Sequence, residues 1–181
     1  MESPDALVKR TAEDVLTVVR SDTDIQAGDQ AKIFALAEEK ILPNFNFPRV
    51  SRLVLGKNWT RATPDQKSGF QTEFRTLLLR TYATALSKYK DQTIKYLPLR
   101  MADGAKTASV KTKIMQKGGQ PIAVNYALAR EGETWKVYDI VIEGVSLVTN
   151  YRGQFSQEVR QNGLDSLIKK LADKNAAAKA K

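Results

Sequence analysis

Two residue types are missing from the 181-residue chain altogether: cysteine and histidine. Without cysteine there is no disulfide framework, no thiolate nucleophile and no Cys-held zinc or iron–sulfur centre. Without histidine there is no Ser-His-Asp triad, no imidazole acid–base pair and no imidazole metal ligand. Carboxylate, lysine and tyrosine chemistry remain. Long apolar runs are missing too, so nothing in the sequence reads as a membrane span. No secretory leader is recognisable. Met1-Glu2 stands directly before a helix start, which fits a mature secreted domain placed behind a start Met. The glycine patterns that cradle phosphates are also absent. Gly118-Gly119 lies between two strand-like runs, with no helix and no Lys-Ser/Thr after it, and there is no dinucleotide fingerprint. Asp22 and Asp24 by themselves make a poor calcium loop. No cofactor and no metal are expected.

What is present suits one domain with a sizeable core: 42% of residues are apolar and 27% charged. The net charge is +9, unevenly spread. Residues 169–181 hold five Lys and one Asp, for +4, and the other 168 residues hold 24 basic and 19 acidic groups, for +5. A single domain is expected over 1–171. The Ala/Lys-rich tail 172–181 lacks large apolar residues and is expected to fray.

Periodicity changes once along the chain. Ser3 can cap a first helix with Pro4 at its first position, and Leu7, Thr11, Val15, Val18 and Val19 share a face. Residues 21–28 break it, and a second helix is expected over 29–42, stopped by Pro43. A short helix is expected near 48–55, flanked by Phe45, Phe47 and Trp59. Thr63-Pro64-Asp65-Gln66 is a capping box that opens the longest helix, over 64–89 and roughly 40 Å long. Phe70, Phe74, Leu77, Leu78, Tyr82, Leu86 and Tyr89 form its apolar stripe. The period then becomes two. Residues 93–99, 107–115, 122–130 and 135–143 read as four strands joined by short turns, hence an antiparallel meander. In the fourth, Tyr138, Ile140 and Ile142 are expected on one face and Trp135, Val137 and Val141 on the other. Leu147, Tyr151, Phe155 and Val159 mark a helix that Gly163 ends, and a short helix over 164–171 is capped by Asp165. The class is α+β: a four-stranded curved antiparallel sheet with helices before and after it.

Few residues invite chemistry. Asp139 lies mid-strand among apolar neighbours, where a carboxylate needs hydrogen bonds or a charged partner such as Arg152. It reads as a structural acceptor or as a general base in a cavity. Glu143, before Gly144, reads as a turn residue. Trp59 and Trp135 read as core anchors. The long-helix stripe, both faces of the fourth strand and the helix after it all demand burial, either in a packed core or around a cavity.

The segment 135–155, WKVYDIVIEGVSLVTNYRGQF, closely resembles the signature of the MlaC or toluene-tolerance family. This family comprises phospholipid-binding proteins of the periplasmic Mla lipid-asymmetry pathway. LGKNWTRATPDQKSGFQTEFRTLLLRTYATAL (55–86) and GGQPIAVNYAL (118–128) fit in the same order. The resemblance implies an NTF2-like α+β domain enclosing an apolar cavity, phospholipid as cargo rather than cofactor, and a periplasmic location. It implies two partners: an outer-membrane lipoprotein–porin complex, and an inner-membrane ABC transporter whose substrate-binding domains form a hexamer. A monomer that binds no nucleic acid is expected. The lipid-binding residues are expected to be Leu78, Tyr82 and Leu86, then Val124 and Tyr126, then Ile140, Ile142, Val145 and Leu147. Tyr82 and Val145 fall within matched segments, whereas the others follow from face assignment. Arg80 or Arg100 is assigned to phosphate or to an acidic partner. No enzymatic activity is expected. The competing readings are a small cavity enzyme using Asp139, and a basic nucleic-acid binder.

Overall fold

The computed structural model describes residues 1–179. It divides into two compact units, each built from two stretches of chain: residues 1–46 with 84–147, and residues 47–83 with 148 onward.

The first unit opens with helix α1 (Pro4–Ser21), which has Pro4 at its first position. Ser3 occupies the cap site in an extended conformation, but its side chain makes no capping hydrogen bond. The face that α1 buries is Leu7, Val8, Val15, Leu16 and Val19. The turn after it is more structured than its composition suggests. Asp22 accepts from the amides of Asp24 and Ile25 and so caps α2 (Thr23–Gln26). Asp29 caps α3 (Gln30–Leu36) in the same way. The expected second helix over 29–42 therefore keeps α-geometry for seven residues only. It widens into a π-helical turn over Ala37–Ile41 and then tightens into a 3-10 turn over Leu42–Asn44, where Pro43 cannot donate to an α-ladder.

The sheet is an antiparallel meander of five strands: β1 (Thr93–Tyr96), β2 (Thr107–Met115), β3 (Ile122–Glu131), β4 (Thr134–Ile142) and β5 (Val145–Ser146). Four strands were expected. β5 has only two residues, too few for a period-two pattern to register. A second correction concerns β4. Its register against β3 shifts between Ala127 and Leu128: Tyr126 faces Ile140 and Ala127 faces Asp139, but Leu128 faces Val137. The extra residue is a β-bulge, which moves Trp135 and Val137 onto the face that carries Ile140 and Ile142. Leu7 and Val8 of α1 pack on that face against Val110, Leu128, Trp135 and Val137. Phe45 packs against the same cluster, and the Asn46 amide donates to the Val137 carbonyl at 3.0 Å.

The second unit is helical: α4 (Phe47–Leu55), α5 (Lys57–Arg61), α6 (Pro64–Tyr82), most of α7 (Leu147–Asn162), and α8 (Leu164–Lys179). The capping box at Thr63 is formed in full: its hydroxyl accepts from the Gln66 amide, and the Gln66 side chain accepts from the Thr63 amide. The expected helix over 64–89 is α-helical to Tyr82 and continues as a 3-10 turn over Ala83–Lys88. The core is aromatic. Phe74 lies 5.3 Å from Phe70, 5.3 Å from Tyr151 and 5.6 Å from Phe155, centroid to centroid. The contacts with Tyr151 and Phe155 are edge-on, a favoured geometry for ring quadrupoles.

The frayed tail is corrected as well. α8 runs through Lys179, and Asn175 is buried at 7% exposure. Alanine and lysine are strong helix formers even without large side chains. The amide of Asn175 supplies the anchor: it donates to the backbone carbonyl and the carboxylate of Glu73, and it accepts from Arg80. The last two tail positions, 180 and 181, lie outside the described residues. Asp165 sits inside the first turn of α8 rather than at its cap and accepts from the Gln66 side chain at 2.9 Å.

Candidate functional site

Antiparallel pairing places directly opposed residues on the same face of a sheet. Reading the registers across gives one row through all five strands: Tyr96, Thr112, Val124, Ile142, Val145. A second row holds Val110, Tyr126 and Ile140. Five of the nine expected lipid-binding residues, Val124, Tyr126, Ile140, Ile142 and Val145, are thus brought together on one face.

The first row changes character along its length. Thr112 is 2% exposed and Val124 6%, whereas Ile142 is 38% and Val145 59% exposed. The row therefore begins in the core and runs out into water at the β5 edge. Thr112 is its only polar side chain short of Tyr96. Its hydroxyl donates to the Val124 carbonyl at 2.7 Å, which satisfies it and leaves its methyl group to the apolar face. Tyr126 is mostly buried, and that burial pushes its phenol up to about 12. The group stays neutral at any physiological pH, as an apolar surface requires.

The edge is held by polar contacts on the other side of β4. Asp139, at the bulge, accepts from the Ile140 amide at 2.8 Å and from the Ser146 hydroxyl. This carboxylate therefore ties β5 to β4. Glu143 fills the turn with φ +50°, followed by Gly144 at +82°. Left-handed backbone is strained for a glutamate, and two bonds to Ala123 offset that strain: the Glu143 amide donates to the Ala123 carbonyl and its carboxylate accepts from the Ala123 amide, both at 2.9 Å. Glu143 is thus the turn residue that its place before Gly144 suggested, whereas Ser146 was not recognised from the sequence, because a two-residue strand leaves no pattern.

The other four expected residues lie elsewhere. Leu147 begins α7 and is half-buried. Leu86 is half-buried in the 3-10 turn after α6. Leu78 and Tyr82 belong to the helical unit. Tyr82 is 41% exposed, and its hydroxyl is 3.4 Å from that of Tyr151. Burial and this neighbour push the Tyr151 phenol well above the usual tyrosine range. The Arg80 guanidinium donates to Asn175 Oδ1. Arg152 donates to the Leu53 carbonyl at 2.8 Å. Trp135 is a core anchor, as expected, but Trp59 is only half-buried and lines a groove on the helical unit.

Among the described residues no three carboxylates gather into a metal site. Among the same residues no helix is long and apolar enough to cross a membrane. The sheet face offers apolar area, and the catalytic candidate, Asp139, lies on the other side of β4 and is engaged in holding the edge strand.

Comparison with known proteins agrees with this chemistry. The model of the MlaC protein family matches residues 9–173. The toluene tolerance protein Ttg2D of Pseudomonas putida is 30% identical, over 98% of this chain and 84% of its own length. The intermembrane phospholipid transport system binding protein MlaC of Haemophilus influenzae is 24% identical, over 93% of this chain and 80% of its own. A solved structure of a phospholipid-binding protein from Ralstonia solanacearum, in complex with a phospholipid, superposes with a TM-score of 0.90. It is 35% identical and covers 98% of both chains.

Proposed function

The chain belongs to the MlaC family, and from that premise we propose that it is a phospholipid carrier whose acyl chains lie on the apolar sheet face ending at Ile142 and Val145. The observation that carries this reading is the row Val124, Ile142, Val145, which passes from burial to open exposure while staying apolar. Exposed contiguous apolar surface is unfavourable in water and marks a place where something apolar binds. Tyr126, Ile140, Leu147 and Leu86 extend the lipid contact within the sheet-containing unit.

A carrier is needed because lipid does not cross water unaided. Each methylene moved into water costs about 0.8 kcal/mol, so two chains of about fifteen methylenes cost roughly 24 kcal/mol. Apolar area supplies the compensating burial, while the head group stays hydrated. The binding is therefore weakly selective for head groups. The carrier works in the periplasm. It exchanges lipid with an outer-membrane lipoprotein–porin complex and with an inner-membrane ABC transporter bearing a hexameric substrate-binding ring, and so maintains outer-membrane asymmetry. The enzyme alternative loses its candidate, because Asp139 is engaged by the Ile140 amide and Ser146.

Native mass spectrometry of the purified protein, with organic extraction of the same sample, tests the reading. Phospholipid bound near stoichiometrically is the expected result. A protein that carries none, and takes none from vesicles, overturns it.

A further inference from the structure

The sheet-containing unit is neutral overall, with 15 basic and 15 acidic residues, but the two signs are divided along the chain. Residues 1–46 hold 5 basic and 9 acidic groups, and residues 84–147 hold 10 basic and 6 acidic. The stretch that holds the sheet is thus the basic one. Its charge is also divided between faces. Lys95 of β1, with Lys111 and Lys113 of β2, alternates with Tyr96, Val110 and Thr112, so the three point away from the face that α1 covers. All three are exposed. Lys95 stands directly opposite Lys113, and Lys111 is the next outward residue along β2. Like charges opposed across an antiparallel pair repel each other. Among the described residues no carboxylate lies within ion-pair distance of any of the three. Asp139 is on this side of the sheet, but on β4, about 10 Å across from β2, and it accepts from the Ile140 amide and Ser146.

We infer that this face is a docking surface for an anionic phospholipid bilayer, held by the ammonium groups of Lys95, Lys111 and Lys113. Three features select a membrane over other polyanions. The first is the choice of cation. Protein interfaces are enriched in arginine and aromatic rings and depleted in lysine. The outward positions of β1 and β2 hold three lysines, three hydroxyl residues and Met115, with no arginine and no ring. A lysine ammonium is a point charge on a flexible stem and needs no fixed partner geometry, which suits head groups that diffuse in a plane. The second feature is the strand beside the lysines. β3 presents Ala123, Asn125 and Ala127 on this face, where a sheet that binds single-stranded nucleic acid needs rings for bases to stack on. The third is shape. These small residues leave the lysines standing above the sheet, so their ammonium groups can meet a plane together. Met115, 38% exposed on the same face, adds an apolar tip beside them. Each lysine close to an anionic surface strengthens partition about fivefold, so three give roughly a hundredfold, a weak and reversible hold.

The inference does not depend on the lipid-carrier reading: extracted cargo tests that reading, and attachment to vesicles tests this one. The experiment is flotation of the full-length protein with phosphatidylglycerol vesicles, with phosphatidylcholine vesicles as the comparison without net charge. Attachment to phosphatidylglycerol is expected, falling several-fold between about 50 and about 300 mM salt. Lys113→Gln should weaken it about fivefold, and Lys95→Gln, Lys111→Gln and Lys113→Gln combined roughly a hundredfold. The combined variant should keep its cargo lipid and unfold no earlier than the wild type, because it removes a repulsion. A charge-matched variant, Lys57→Gln with Lys174→Gln and Lys179→Gln, takes three charges from exposed sites of the helical unit and should attach as the wild type does. Three results overturn the inference: equal loss in both triple variants, equal attachment to phosphatidylcholine, or a preference for polyglutamate or a thymidine oligonucleotide over the phosphatidylglycerol vesicles.

Discussion

Arg80 and Asn175 meet side chain to side chain: the guanidinium donates from Nε at 3.3 Å and from Nη2 at 3.0 Å to the same amide oxygen. The amide nitrogen of Asn175 donates in turn to Glu73, at 2.9 Å to its carbonyl and 2.8 Å to its carboxylate. Every polar atom of this buried side chain is satisfied, and α8 is tied to α6 at its far end. Asn175→Ala strands its partners. It should lower stability by about 1–3 kcal/mol, measured by urea unfolding, and speed hydrogen exchange over residues 172–179. Arg80→Gln should also lower stability while leaving the lipid content of the purified protein unchanged. Lipid loss at wild-type stability would return Arg80 to a head-group role.

At the β5 edge the decisive comparison is between two exposed apolar sites. Val145→Glu and Ile142→Glu each place a charge where acyl chain is proposed to lie. Each should reduce co-purifying phospholipid several-fold. Met115 is as exposed as Ile142, at 38%, but follows Ile114 on β2 and so points to the opposite face. Met115→Glu should keep its lipid. Equal loss in all three variants, by lipid extraction, would mean that the sheet face is misassigned.

The bond from Ser146 to Asp139 yields a prediction about mobility rather than composition. β5 is registered to β4 through two residue pairs only, so one charge-assisted hydrogen bond is a large share of its support. Ser146→Ala should increase hydrogen exchange at Val145 and Ser146. It should also release lipid to acceptor vesicles faster, with little change in the global unfolding midpoint.

Alkaline stability follows from the buried phenols. Burial pushes Tyr126 up to about 12, and burial together with Glu13 does the same for Tyr96. An unfolded tyrosine ionises near 10. Above that pH the unfolded chain releases protons that the folded chain retains, so stability falls as pH rises. The contribution is complete below pH 10 and is lost progressively between about 10 and 12. Tyr126→Phe should flatten this limb of the unfolding-midpoint curve. Absorbance titration at alkaline pH should show fewer of the six tyrosines ionising near 10 than in urea.

Much of this architecture was legible because local chemistry and final structure agree. Thr63-Pro64-Asp65-Gln66 announced α6, and alternation in 107–115 gave both the strand and the face of Val110, Thr112 and Ile114 correctly. What escaped reading has physical causes. The bulge at Ala127/Leu128 reverses which β4 residues share a face, and a one-residue insertion leaves no compositional trace. β5 is too short to alternate. The end of α8 lacks large apolar residues, and its order comes from Asn175, whose partners lie about a hundred positions earlier in the chain. Face assignment still gathered Val124, Tyr126, Ile140 and Ile142, because each strand segment was read correctly on the β5 side of the bulge, and Val145 came from the matched segment 135–155.

The discontinuity of the two units sets an order of assembly. All five strands fall within residues 93–146 and pair with sequence neighbours, so the meander closes through short loops with little entropy to lose. The helical unit has no such route: Glu73 must wait for Asn175, 102 positions later. A chain emerging from its N-terminus can complete its sheet long before its helical unit, which closes only when Asn175 is available. Pulse-labelled hydrogen exchange during refolding should therefore protect β2 to β4 first and α6 with α8 last. A chain halted short of α8 is a finished sheet with Glu73 and Arg80 of α6 still lacking Asn175.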